Sequence, residues 1–437
     1  VIKGFQNALN IPELRRRILF TIGILLVYLL GGHIPTAGVD GRALSLFFAQ
    51  QRGTLLGLWD MFVGGNLSKA TIFALGIMPY ISASIILQLL TAVIPYFEKL
   101  KKEGEEGRRK INQYTRYGTV LVSIIQAYGI SIFLESMRTG GGLPVVPHPG
   151  WGFRLLCALT FTTGTIFVMW LGEQITERGI GNGISLIITI GIIARYPGQF
   201  IQTISAVRAG TFSPFQAVLL GLIMIMVTGL VVLITQGTRR IPVQYAKRIV
   251  GRKIYGGHST FIPLRVNTAG VIPVIFAQSL LMFPRTLATT FFPGNEFMEG
   301  IANNLQPGAV IYGLLYAGLI VFFAYFYTAI VFNPVDLSDN MKRQGAFIPG
   351  IRPGKRTSDF IDRVLTRITL PGAIFLAFIA LLPDLLIYRM NAPVYFGGTG
   401  LLIVVGVVLD TLQQIESHLL MRHYDSFMKK GRIRGRM

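Results

Sequence analysis

Apolar and polar positions separate into long blocks along this chain. Ten apolar runs can be marked, roughly 18–37, 71–94, 117–135, 153–172, 184–202, 214–236, 270–290, 309–333, 368–388 and 400–420. Each is near the ~20 residues a helix needs to cross a bilayer core. None breaks into the ~10-residue alternating segments of a membrane barrel. Helices are then the remaining solution, because lipid offers the backbone no hydrogen-bond partners. The first run, from Ile18 to Leu30, has no small-residue cleavage site just after it, so it reads as a retained span and not as a signal peptide. The pattern predicts an all-α membrane protein with ten transmembrane helices.

Two of the runs open alike. Gly76 to Leu87 reads GIMPYISASIIL and Gly270 to Leu281 reads GVIPVIFAQSLL, with five of twelve positions identical. One opens the second run and the other the seventh, and each follows a long irregular linker. Five spans, an odd number, separate them, so the second copy is inverted in the membrane. That is the mark of an inverted repeat, with a functional site expected at the repeat interface near the midplane. The two five-helix halves divide as 1–206 and 207–437. The repeat pairs Ile81 with Ile275, and Ile77 shares a helix face with Ile81 one turn away.

Composition sharpens the class. The chain is 51% hydrophobic and 14% charged, against the ~25% charged of a soluble domain. Its 50 glycines and 30 phenylalanines suit close helix packing in lipid. Most of its 41 lysines and arginines fall in alternate inter-span segments. That asymmetry places both termini on the cytoplasmic side of a multi-pass membrane protein. The net charge of +21 is therefore mostly a property of the cytoplasmic face.

Two basic loops stand out there, at 237–268 and 334–367. The second contains RQGAFIPGIRPGKR, from Arg343 to Arg356, with two prolines, three glycines and no acid. Topology and contact with anionic lipid would account for the charge alone. They would not account for the proline and glycine, which set particular backbone shapes. A docking surface for an acidic or phosphate-rich partner accounts for both.

Catalytic chemistry is hard to find. GIRPGKR lacks both the spacing and the Ser or Thr of a phosphate loop. His33, His148, His258, His418 and His423 show no metal-site spacing, so no metal and no cofactor is expected. Cys157 is the only cysteine and lies in an apolar span, which favours packing over redox chemistry. Asp410 is the clearest ionisable residue within a span and has no evident partner for an ion or proton relay. The residues alone leave open a protein-conducting channel, an inverted-repeat carrier of small solutes, or a membrane scaffold for ribosomes. A carrier should show several midplane charges, and a scaffold needs no apolar collar.

Six stretches then resemble one family: GIMPYISASIILQLL, KKEGEEGRRKINQYTRYGT, WLGEQITERGIGNGISLII, NTAGVIPVIFAQSLL, FNPVDLSDNMKRQGAFIPGIRPGKRT and YFGGTGLLIVVGVVLD. The chain resembles, over essentially its whole length, the bacterial SecY family, channel subunits of the general protein translocase. The resemblance implies no enzyme activity and two halves closing around a central pore. It implies a pore ring at Ile77, Ile81, Ile188, Ile275 and Ile403, where branched aliphatics keep a narrow throat dry. It implies a plug at about Leu58 to Ala70, with Met61, Phe62 and Asn66 and a joint at Gly64 and Gly65. It implies a lateral gate carrying Ile85, Gln88, Gln126, Asn267 and Phe283. There, hydrogen bonds among the amides, each worth ~1 kcal/mol in lipid, would latch the helices. The basic loops would dock a motor or ribosome through Arg252, Lys253, Arg352, Lys355 and Arg356. The implied partners are the small membrane subunits SecE and SecG, the motor ATPase SecA, the ribosome through its RNA, and signal peptides and nascent chains. Anionic lipid completes the set.

Overall fold

The computed structural model describes residues 11–50, 60, 63–137, 144–245, 248–250, 253–255, 259–291, 297–298, 300, 304–305, 309–390 and 398–430. At 49–50, 248–250, 253–255, 282–283, 285–291, 383–390 and 420–430 it describes the backbone alone.

Every apolar run falls on a helix. In chain order the helices are α1 (Pro12–Gly31), α2 (Gly41–Gln50), α3 (Met78–Val93), α4 (Pro95–Lys102), α5 (Glu105–Ser136), α6 (Trp151–Arg178), α7 (Gly183–Ile193) and α8 (Tyr196–Arg208). There follow α9 (Pro214–Gln236), α10 (Ile272–Phe291), α11 (Val310–Val331), α12 (Pro334–Arg343), α13 (Lys355–Met390) and α14 (Gly398–Lys430). Among the described residues seven helices are long and apolar enough to cross a membrane, or eight if the bent pair α3–α4 is one span. The remaining two of the ten runs lie on α1, whose first turns hold Glu13 and Arg15 to Arg17, and on α10, whose apolar part is short.

Boundaries moved where prolines and glycines intervene. The second run was expected to be helical from 71, but the helix begins at Met78 and 71–77 are turns. Pro95 forces Ile94 into extended backbone (ψ 120°), and α4 leaves α3 at 96°. The fifth run breaks at Ala194 and Arg195 between α7 and α8.

The helices pack in two groups. In the first, α3 lies on α5, α5 on α6, and α1 on α6 and α7. In the second, α10 lies on α11, α11 on α13, and α14 on both α9 and α13. The groups meet along two seams, α3 and α5 against α10, and α7 against α14. Outward positions stay apolar: on α9, Phe215, Val218, Leu222 and Ile225 are exposed, while Leu220, Val227 and Val231 are buried. Exposed apolar side chains on that scale are a surface for lipid, not for water.

Between the helical spans, the segments read from the sequence as two basic loops have structure of their own. The two basic loops fold together as β structure. β1 (Thr238–Tyr245) pairs antiparallel with β4 (Ser259–Arg265), from Thr238 opposite Arg265 to Gln244 opposite Ser259. The turn between them carries a two-stranded ladder, β2 (Arg248–Val250) with β3 (Lys253–Tyr255). The short β5 (Ala346–Phe347), from the second loop, joins β1 at Tyr245 and Gln244. Period-two alternation is the cause: Ile241 and Val243 are buried, while Arg240, Pro242 and Gln244 face out. Ile241, Val243, Leu264, Met341, Ala346, Ile348, Ile361 and Leu365 form a core of their own beneath this sheet.

Candidate functional site: a plugged apolar constriction

The repeated motif produces repeated backbone. Gly76 and Gly270 both adopt positive φ, +55° and +64°, and each turns the chain into a helix whose second residue is proline. Only glycine takes that conformation readily. The next turn also repeats: the Ile81 N–H donates to the Ile77 carbonyl at 3.1 Å, and the Ile275 N–H to the Val271 carbonyl at 3.3 Å. Ile77, Ile81, Ile188, Ile275 and Ile403 are all buried and belong to one contiguous apolar cluster. They are supplied by α3 and its cap, α7, α10 and α14, elements from both helix groups and both seams.

The plug segment lies against this cluster. Met61 and Phe62 lie outside the described residues. From Val63 to Ala70 the chain is a tied turn. Asn66 donates through Nδ2 to the Val63 carbonyl at 2.6 Å and to Tyr28 Oη at 3.3 Å. Ser68 Oγ donates to the Gly65 carbonyl at 3.1 Å. Gly64 and Gly65 have φ of +75° and +83°, and Val63 is buried under Gly76. A Cβ on Gly64 would lie 2.9 Å from the Gly191 Cα, so the turn sits flush on α7. Ala70 also has positive φ, +44°, an unusual state for a residue with a side chain.

The gate residues fall on the first seam. Ile85 is buried on α3 and Asn267 is buried just before α10; of Phe283 only the backbone is described. The expected amide latch is not formed. Gln88 Nε2 donates to Ser84 Oγ on its own helix at 3.2 Å, and the Gln88 and Gln126 carbonyl oxygens are buried without a partner. Tyr312 Oη, on α11, donates to Gln278 Oε1 on the adjacent α10 at 3.2 Å, a contact within the second helix group and not across the seam. Tyr312 stacks on Tyr316 in turn. Apolar packing of α3 and α5 on α10 therefore closes the seam. The cue in the sequence was Gln278, a buried glutamine inside the repeated motif.

Arg252 lies outside the described residues, and Lys253 has only its backbone described, in β3. Arg352, Lys355 and Arg356 are exposed. Their turn is rigid: Thr357 Oγ1 donates to the Arg352 carbonyl at 2.9 Å, and Ser338 Oγ to the Gly354 carbonyl at 2.8 Å. Gly350 and Gly354 take φ of +81° and +103°. At Asp410 the structure supplies what the sequence did not show. Arg265 opposes its charge and also donates to Gln413 at 2.7 Å. Asp410 thus belongs to a polar cluster at the end of α14's apolar stretch. Sequence reasoning also passed over Arg195, a charge inside the fifth apolar run, and its ion-pair partner Asp60.

Residues 71–412 match the SecY family. The protein translocase subunit SecY of Escherichia coli K12 is 50% identical over 434 residues, 99% of this chain and 98% of that protein. Its counterpart in Aquifex aeolicus is 46% identical, covering 96% of this chain and 98% of that one. The fold matches a solved protein-conducting channel with a TM-score of 0.67 at 19% identity, covering 96% and 95% of the two chains. It also matches Sec61 in the canine ribosome–channel complex from the endoplasmic reticulum, with a TM-score of 0.61 at 17% identity over 96% and 95%.

Proposed function

The chain belongs to the SecY family, and from that premise we propose how its own residues do the family's work. It is a multi-pass membrane protein and a protein-conducting translocation channel. Residues 1–206 and 207–437 act as two halves that part along the α3/α5–α10 seam. The isoleucine ring is the constriction, the 63–70 turn its plug, and the seam the lateral exit for apolar segments. Both termini lie in the cytoplasm of a bacterial inner membrane. The single observation that carries this reading is the burial of five isoleucines, from elements of both groups, in one cluster beneath a glycine-jointed turn.

The chemistry suits the task. A translocating chain presents every kind of side chain, so the throat must grip none of them. Isoleucine makes no directed hydrogen bond, and a narrow apolar throat excludes ions by staying dry. Among the described residues no hydrogen bond joins α3 or α5 to α10, so an apolar signal segment entering the seam breaks no directed contact between them. The small subunits SecE and SecG complete the complex. SecA or the ribosome drives it from the basic sheet, and signal peptides, nascent chains and anionic lipid are its other partners. Ribosomal RNA matches the charge of that sheet.

Widening the ring tests this. Ile81→Gly together with Ile403→Gly should raise the resting ion conductance of reconstituted complexes at least about tenfold, because a wider throat wets. Transport of a secretory precursor into protease-protected vesicles should persist. Parent-level resting conductance in this double variant would remove the ring from its role.

A further inference from the structure

Arg195 lies midway along the 183–208 span, at the break between α7 and α8. An arginine at that depth is costly in lipid unless it is paired or faces an interior path. Its partner comes from the plug segment: Arg195 Nη2 stands 3.0 Å from Asp60 Oδ2. The Asp60 side chain is 2% exposed and that of Arg195 30%.

Asp60 is held from both sides. Its Oδ1 accepts the Ser68 backbone N–H at 2.8 Å, and its carbonyl accepts the Gly65 N–H at 2.7 Å. One carboxylate therefore ties the two ends of the plug turn together and fastens the turn to a transmembrane element. The glycines make the approach possible. Gly64 lies flush on Gly191, and a Cβ on Gly65 would come 3.7 Å from Arg195 Nε. No other ion pair among the described residues joins the plug turn to a transmembrane helix.

We propose that the Asp60–Arg195 ion pair is a releasable latch that holds the plug turn against the α7–α8 break. The proposal rests on the channel reading above and assigns positioning roles to two residues that reading does not use. An ion pair suits a latch better than an apolar contact does. A buried pair gains little net free energy over the same charges in water, so lifting the turn into a hydrated pore costs little. Removing one member alone strands a desolvated charge, which penalises the closed state specifically. The pair therefore fixes the register of the closed turn without making it hard to open.

The test uses the full complex in planar bilayers with Asp60→Asn, Arg195→Gln, the double variant, and Arg195→Lys. Asn keeps an acceptor for the Ser68 N–H and loses only the charge. Each neutralised single variant should raise resting conductance at least about tenfold, as the dry seal fails. The double variant should be no leakier than the worse single one, because both remove the same interaction. Arg195→Lys, which keeps the charge at a single contact, should stay within about twofold of the parent. Precursor transport should survive in all four, so a parent complex that carries no precursor would condemn the channel reading and not the latch. Singles that seal like the parent would overturn the proposal. So would leaks that multiply in the double variant, or an Arg195→Lys variant that leaks like Arg195→Gln.

Discussion

Arg352→Glu is expected to stop motor-driven transport while the protein remains folded in the membrane. The side chain is exposed, and no ion pair engages it among the described residues. Its backbone is held from several directions. Thr357 Oγ1 donates to its carbonyl, Ser338 Oγ donates to Gly354, and the Ile351 N–H donates to the Ile348 carbonyl at 3.0 Å. β5 pins the same loop to β1. A fixed positive charge on a stiff turn is an element made to be recognised, and its own fold does not depend on that side chain. Loss of a charge that is buried and paired on docking costs about 2–5 kcal/mol. That weakens docking on the order of 30-fold to several-thousand-fold. The measurement is protease-protected precursor in vesicles, with motor ATP hydrolysis and the thermal melt followed alongside. Normal precursor transport by Arg352→Glu would remove Arg352 from the docking surface.

Gly164→Val should destabilise the protein more than any surface change. Gly164 lies mid-helix on α6, and a Cβ there would overlap the Ile72 carbonyl oxygen. The Phe73 ring, 3.4 Å from the same point, closes the other side. Ile72 cannot retreat easily, because its N–H donates to the Ile34 carbonyl at 3.0 Å. Overpacking against side chains costs about 1–3 kcal/mol, and against fixed backbone it should exceed that. Residues 72–77 also lead the chain into α3, so the strain reaches Ile77 and the ring. Thermal unfolding in detergent should show a clear loss for Gly164→Val. Gly152→Ala on the same helix, where a Cβ meets nothing within 4 Å, should melt with the parent. A Gly164→Val variant that also melts with the parent would mean that α6 does not lie against that segment.

The helices were the legible part of this fold, because lipid makes an apolar run of a given length unambiguous. The repeat was legible too, because Gly76 and Gly270 carry a backbone conformation that other residues rarely take. The basic sheet was not. Its main strands β1 and β4 lie in one loop, but the core beneath them is completed from the other loop, where Ile348 and Ile361 join Ile241 and Val243, and nothing local in the sequence shows that meeting. The gate was misjudged at Gln88 and Gln126. Their polarity suggested a hydrogen-bonded latch, but side-chain direction is set by helix rotation, and the two amides do not meet. Arg195 was visible as a charge in the fifth apolar run, but its meaning needed Asp60, which is 135 positions away and brought there only by the plug turn.

The central claim is that a polypeptide passes through the isoleucine ring. A photo-crosslinker at Ile81, with a secretory precursor stalled in transit, asks this directly. The account predicts a crosslink to the precursor at Ile81 and another at Ile275, the equivalent position in the repeat. Proceeding transport with no crosslink at either position would contradict it, and the ring would then be ordinary helix packing.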